Sequence, residues 1–191
     1  MITKHTKSSR HNTIRWTGGT TTELSIYPKD ASYSDKNFLF RISTATIETE
    51  ESQFTKLPGV SRKLMILEGE IKIEHKDHYS KVLKKFDQDE FKGDWDTKSY
   101  GKAVDFNLMS SGNIKTEIEA RNTLKNCTLT SNAEFTGIYC YQGRIKIKID
   151  DSLFEMLSGD FLLIQKDNAF LNAELLPAEL CEIIITKINR N

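Results

Sequence analysis

"LEGEIKIEHKDHYSKVL", residues 67–83, and "YQGRIKIKIDDSLFEML", residues 141–157, read as two copies of one pattern. Gly69 falls opposite Gly143, Ile71 opposite Ile145 and Ile73 opposite Ile147. In each copy the isoleucines alternate with charged residues, the period of a half-buried strand. A polar turn follows, then another apolar run and a second turn. The second copy closes on "LSGDFLLI"; the first has the degraded "KKFDQDEFKGD". Working outward, the same alternation recurs in "FLFRISTATI" (38–47), "AVDFNLM" (103–109), "FTGIYC" (135–140) and "LCEIIITKI" (180–188). Turn signals such as Pro58-Gly59, Ser111-Gly112-Asn113 and Asp150-Asp151-Ser152 separate the runs. Helical periodicity is scarce. Many short strands with such punctuation predict an all-β sandwich or barrel.

A unit of strand, Gly, strand, tight turn, strand, Gly-Asp and strand resembles the cupin jelly roll, a double-stranded β-helix. Two copies imply a bicupin. The expected units are an N-terminal barrel over 1–115 and a C-terminal barrel over 116–191, packed as one body. Many cupins hold a metal with two His at alternate strand positions, a carboxylate and a later His. Here the first copy offers only His75 and His78, spaced His-x-x-His in the turn-like "EHKDHYS", and the second copy has no His. These two are expected to be exposed loop histidines, and no metal or other cofactor is expected.

The chain has 191 residues, with 27 basic and 27 acidic side chains and zero formal charge. That balance gives no broad footprint for nucleic acid or an anionic membrane. Cys127, Cys140 and Cys181 are odd in number and widely spaced, which argues against a zinc clip or a redox pair and for reduced, mostly buried thiols. The opening "MITKHTKSSRHNTIRW" has no apolar core of a leader, and no stretch approaches a membrane span. A soluble, cytoplasmic protein is expected.

Four stretches carry polar residues that packing does not explain. In "AVDFNLMSSG" (103–112), Phe106 and Leu108 point one way while Asp105, Asn107 and Met109 point the other. In "FRISTATI" (40–47), Arg41, Ser43 and Ala45 share the face opposite Phe40 and Ile42. "FTKLPGVSRKL" (54–64) places Arg62 just before a strand, and "RWTGGTTTEL" (15–24) sets Trp16 beside Gly18-Gly19. Each is compatible with a solvated strand face or a turn.

Together the stretches resemble the HutD/Ves family. The matching pieces are Trp16-Thr17-Gly18-Gly19, Arg41-Ile42-Ser43-Thr44-Ala45, Phe54 to Arg62, Leu67-Glu68-Gly69, Phe91-Lys92-Gly93-Asp94 and Asp105 to Met109. They run in order over about residues 14–112. Thr17 departs from the Asn usual in the family. The resemblance implies a bicupin without the usual metal ligands. It also implies a role in, or descent from, regulation of histidine utilisation, with the Ves branch linked to stress response. Formylglutamate is the suggested ligand of the HutD branch, and no established catalysis comes with it.

A small carboxylate calls for guanidinium groups, which recognise it bidentately. Arg41 and Arg62 are the candidates. Asn107 and Ser43 would bond an amide or formyl group, Asp105 would orient an arginine, and Trp16 would wall the site. The leading expectation is a small-anion-binding regulatory protein. The alternatives are a metal-independent isomerase or hydrolase with Asp105 as its base, and an interaction protein pairing strand edges as a homodimer.

Overall fold

Runs that alternate Ile, Leu or Phe with polar residues become strands throughout the computed structural model, which describes residues 1–167 and 170–190. The first eleven strands are β1 (Ile2–Thr6), β2 (Asn12–Trp16), β3 (Gly19–Tyr27), β4 (Phe40–Ile47), β5 (Glu51–Gln53), β6 (Val60–Gly69), β7 (Ile71–His75), β8 (Tyr79–Leu83), β9 (Gln88–Lys92), β10 (Thr97–Tyr100) and β11 (Ala103–Ser111). Then come β12 (Ile114–Thr123), β13 (Cys127–Ser131), β14 (Phe135–Gln142), β15 (Arg144–Ile149), β16 (Ser152–Leu157), β17 (Phe161–Gln165), β18 (Leu171–Pro177) and β19 (Cys181–Arg190). Among the described residues the only helical segment is a single 3-10 turn at Ser8–Arg10, and no helix is long and apolar enough to cross a membrane. The fold is all-β, as the alternation predicts.

The chain divides into two units, Asn12–Gly112 and Met1–His11 with the chain from Asn113 onward. The first has a six-stranded sheet, β2-β3-β4-β11-β6-β9, and a four-stranded one, β5-β10-β7-β8, paired antiparallel throughout. Leu64 and Ile66 of the larger sheet pack on Ile71 and Ile73 of the smaller, with Leu83 and Phe91 closing this core. Burying such side chains stabilises by about 1.5–3 kcal/mol each. The second unit has a five-stranded sheet, β1-β17-β14-β19-β12, and a four-stranded one, β13-β18-β15-β16. Ile138, Ile145, Ile147, Met156, Leu162 and Ile183 are central to its core. Strand β1 reaches this unit by pairing with β17, and Asp160 fixes the segment after it by accepting hydrogen bonds from the Ser8 backbone N–H at 2.8 Å and Lys7 Nζ at 3.1 Å.

The two units share an order of pairing. β4-β11-β6-β9 in one matches β12-β19-β14-β17 in the other, and β5-β10-β7-β8 matches β13-β18-β15-β16. Each also has a one-residue bulge before its glycine, at Leu67 against β11 and at Tyr141 against β19. Gly69 and Gly143 have φ of +83° and +91°, and a Cβ there would lie 2.4 Å from the Lys102 carbonyl oxygen and 2.7 Å from that of Leu180. Both the left-handed backbone and the close approach require glycine. The degraded turn of the first copy also finds its counterpart. Phe86-Asp87 sits before β9 as Gly159-Asp160 sits before β17, with Phe86 at φ +69° where Gly159 has +88°. Asp87 accepts the Lys84 backbone N–H just as Asp160 accepts that of Leu157.

One expectation is corrected. His75 is not in a loop and not exposed: β7 runs through it, and it is 1% exposed. Its Nδ1 bonds Thr97 Oγ1 and its Nε2 bonds Asp89 Oδ2, both at 2.8 Å. Phe91, Tyr79 and Trp95 surround the ring. The turn begins only at Lys76, so the last strand residue still points into the core. His78 is exposed, as expected, and stacks on Trp95. Among the described residues no group of three or more His, Cys, Asp or Glu side chains could hold a metal.

Candidate functional site

Strand alternation and register assemble a cavity with a polar row in the Asn12–Gly112 unit. β4 and β11 pair so that Arg41 lies opposite Met109, Ser43 opposite Asn107 and Ala45 opposite Asp105. Directly opposed residues point to the same side of a sheet. This row therefore faces one way, while Phe40, Ile42, Phe106 and Leu108 are buried on the other. β6 flanks β11 on its far edge and sets Arg62 opposite Met109. The cavity has a volume of about 340 Å³, within the range of small-molecule pockets. All six residues singled out from the sequence line it: Trp16, Arg41, Ser43, Arg62, Asp105 and Asn107. Apolar walls come from Ile14, Tyr33, Ile47, Phe54 and Met109.

Both guanidinium groups are buried, Arg41 at 5% and Arg62 at 6% exposure. Burying a charge is costly unless partners replace its water. Arg41 Nε donates to Glu23 Oε2 at 2.8 Å, its Nη1 donates to Ser43 Oγ at 3.3 Å, and its plane lies 4.5 Å from the Tyr33 ring. Glu23 takes this position by register: β3 sets it opposite Ser43, on the face that Arg41 shares. Arg62 is less well served. Its Cζ lies 4.7 Å from the centre of the Phe54 ring and 5.4 Å from that of Phe91, and its Nη2 donates to Asn107 Oδ1 at 3.2 Å. Its Nε is buried without a hydrogen-bond partner. Burial pulls Arg62 down to about 10, helped by the like charge of Arg41 and opposed by Tyr33 and Asp105, so it stays charged at neutral pH.

Asn107 passes the polarity on. Its Nδ2 donates to Asp105 Oδ1 at 2.5 Å, which fixes the amide with its oxygen toward Arg62. Asp105 is 2% exposed. Burial pushes its carboxyl up to about 7, against the opposing pull of Arg62, Asn107 and the Ala45 backbone N–H. At the rim, Trp16 is 37% exposed and its Nε1 donates to Thr21 Oγ1 at 3.2 Å. The glycines after it serve packing: a Cβ on Gly18 would strike the Trp16 ring, and one on Gly19 would lie 1.8 Å from the Thr46 carbonyl oxygen. The Gly18-Gly19 pair is a close-packed turn into β3.

Sequence reasoning passed over Glu23, Tyr33 and the two phenylalanines that shelve Arg62. Glu23 stands in the quoted "RWTGGTTTEL", and it reaches Arg41 through the pairing of β3 with β4, which sets it opposite Ser43.

The HutD family model matches residues 8–181. The chain belongs to the HutD family. Among solved structures, a conserved protein of unknown function from Pseudomonas aeruginosa PAO1 superposes with a TM-score of 0.89 at 16% identity, over 100% of both chains. HutD from Pseudomonas fluorescens SBW25 gives 0.75 at 17% identity, again over 100% of both. A cupin 2 conserved barrel domain protein from Leptotrichia buccalis gives 0.60 at 12% identity, over 97% of this chain and 96% of that one. At such identities the likeness is one of fold, and the fold of this HutD-family chain is cupin-like. No curated protein matches the sequence.

Proposed function

We propose that this HutD-family chain binds a small carboxylate, of which formylglutamate is the model, and serves a regulatory role in histidine utilisation. The observation that carries the reading is Arg62. A guanidinium 6% exposed, with its Nε unpartnered, faces a cavity that also holds Arg41. A bound carboxylate would answer this guanidinium where it lines the cavity, and the fork geometry suits it. Asn107, Ser43 and Gln53 offer neutral partners for a formyl or amide group, while Phe54, Ile47 and Met109 would cover methylenes.

The equal pairing orders and the two matched bulges support descent of both units from one duplicated cupin barrel, a bicupin. In this reading the binding site belongs to the N-terminal barrel, and the protein works without a metal, in the cytoplasm, alone or as a homodimer. A second reading, a metal-independent isomerase or hydrolase, rests on the buried Asp105 carboxyl with its value near neutrality. Turnover of N-formyl-L-glutamate or a related acid would favour it.

Calorimetry with N-formyl-L-glutamate tests the binding reading. Arg62→Ala should weaken affinity about tenfold to a hundredfold, the equivalent of about 1.5–3 kcal/mol for a charge-assisted hydrogen bond. Wild-type affinity retained by a folded Arg62→Ala variant would overturn it.

A further inference from the structure

Resting on the carboxylate-binding reading above, we infer that the anion enters the cavity together with a proton that settles on Asp105, so that Asp105 donates a hydrogen bond in the bound state. The geometry behind this is the bridge Arg62–Asn107–Asp105. Asp105 is the carboxylate that answers Arg62 within the protein, through the shared Asn107 amide and the field between them. A ligand carboxylate seated on Arg62 takes over that part. Because Arg41 is already paired with Glu23, two carboxylates would then share the Arg62 guanidinium in a buried site, and like charges so placed do not both stay ionised.

The groups around Asp105 leave few other places for the proton. Asp105 interacts with the Ala45 N–H of β4, with Arg62 of β6 and with Asn107 of its own strand, and β4 adds Arg41 and Ser43 to the same cavity. Tyr33 faces the two arginines from the loop after β3, and Glu23 is held by Arg41 with its side chain 28% exposed to water. Among the described residues that line the cavity there is no histidine, no lysine and no other carboxylate. Asp105 already sits near the balance point, with burial holding its carboxyl at about 7, so a second negative charge would carry it across. Asn107 remains a donor to Oδ1, leaving Oδ2 of a protonated Asp105 to donate toward the ligand.

Affinity then falls as pH rises. Below about pH 7 the free protein already holds the proton and binding is flat with pH; above it, each pH unit weakens binding about tenfold. Asp105→Asn, a neutral isostere of the protonated acid, removes the dependence.

The test is titration calorimetry of the full chain with N-formyl-L-glutamate at pH 8, in phosphate and in Tris, whose ionisation enthalpies differ. Wild type should take up close to one proton per ligand bound. Asp105→Asn should take up none and bind about tenfold tighter than wild type at this pH. Binding without proton uptake by wild type, or uptake unchanged in Asp105→Asn, overturns the inference and leaves the carboxylate site standing. If neither N-formyl-L-glutamate nor formate binds at any pH from 6 to 9, the carboxylate reading itself falls and this inference falls with it.

Discussion

Asp105→Asn should stabilise the free protein at alkaline pH and do so progressively less as pH falls. In the unfolded chain the carboxyl titrates near 3.8, and in the folded unit burial raises it to about 7. Between those values the folded state holds a proton that the unfolded state has released. Stability therefore declines as pH rises through that window and is flat above it. The full window corresponds to about 4 kcal/mol, since each pKa unit is about 1.36 kcal/mol. Between pH 5 and pH 8 the wild type should lose about 2–3 kcal/mol through this one group. Asparagine keeps the shape and can accept the Asn107 and Ala45 hydrogen bonds, but carries no charge to desolvate. Urea unfolding of both proteins at pH 5 and pH 8 measures the difference between them. It should grow in the variant's favour by about 2–3 kcal/mol from the lower pH to the higher. A difference that does not change with pH, or a variant that loses ground at pH 8, would refute the assignment of a buried, near-neutral carboxyl.

His75→Ala should destabilise the protein by about 2–4 kcal/mol in urea, because it removes two buried hydrogen bonds and a ring packed among aromatics, and leaves Thr97 and Asp89 short of a partner. A change under about 0.5 kcal/mol would mark it as a surface residue. Gly69→Ala should lower the thermal midpoint by several degrees, since it forces a Cβ against the Lys102 carbonyl oxygen at a left-handed φ; the predicted cost exceeds about 1 kcal/mol. Gly59→Ala is the control: it has a similar φ of +78° but nothing within 4 Å of a Cβ, so it should cost less.

The side-chain sorting of the site was legible because alternation is strict in β4 and β11. Once Phe106 and Leu108 are assigned to one face, Asp105 and Asn107 must take the other, and the same holds for Phe40 and Ile42 against Arg41 and Ser43. What alternation cannot supply is partnership across strands. Glu23 meets Arg41 through the register of β3 against β4, and Phe54 and Phe91 flank Arg62 from a loop and a separate strand. The repeat was legible at Gly69 and Gly143, where a close backbone approach admits no other residue. It was obscured at Phe86, a non-glycine in the left-handed region that holds the place of Gly159. His75 was misread because "EHKDHYS" has the composition of a turn, while its first two residues still belong to the strand. The pairing of β1 with β17 spans most of the chain and has no local signature.

The cavity on the face of β4, β11 and β6 is proposed to hold a carboxylate on Arg62, beside Arg41. A crystal grown with N-formyl-L-glutamate tests it most directly. A carboxylate should lie within hydrogen-bond distance of the Arg62 guanidinium and on the Arg41 side of the cavity, with Asn107 and Asp105 beneath it. Ligand density elsewhere on the protein, with both guanidinium groups unchanged and the cavity holding only water, would contradict it.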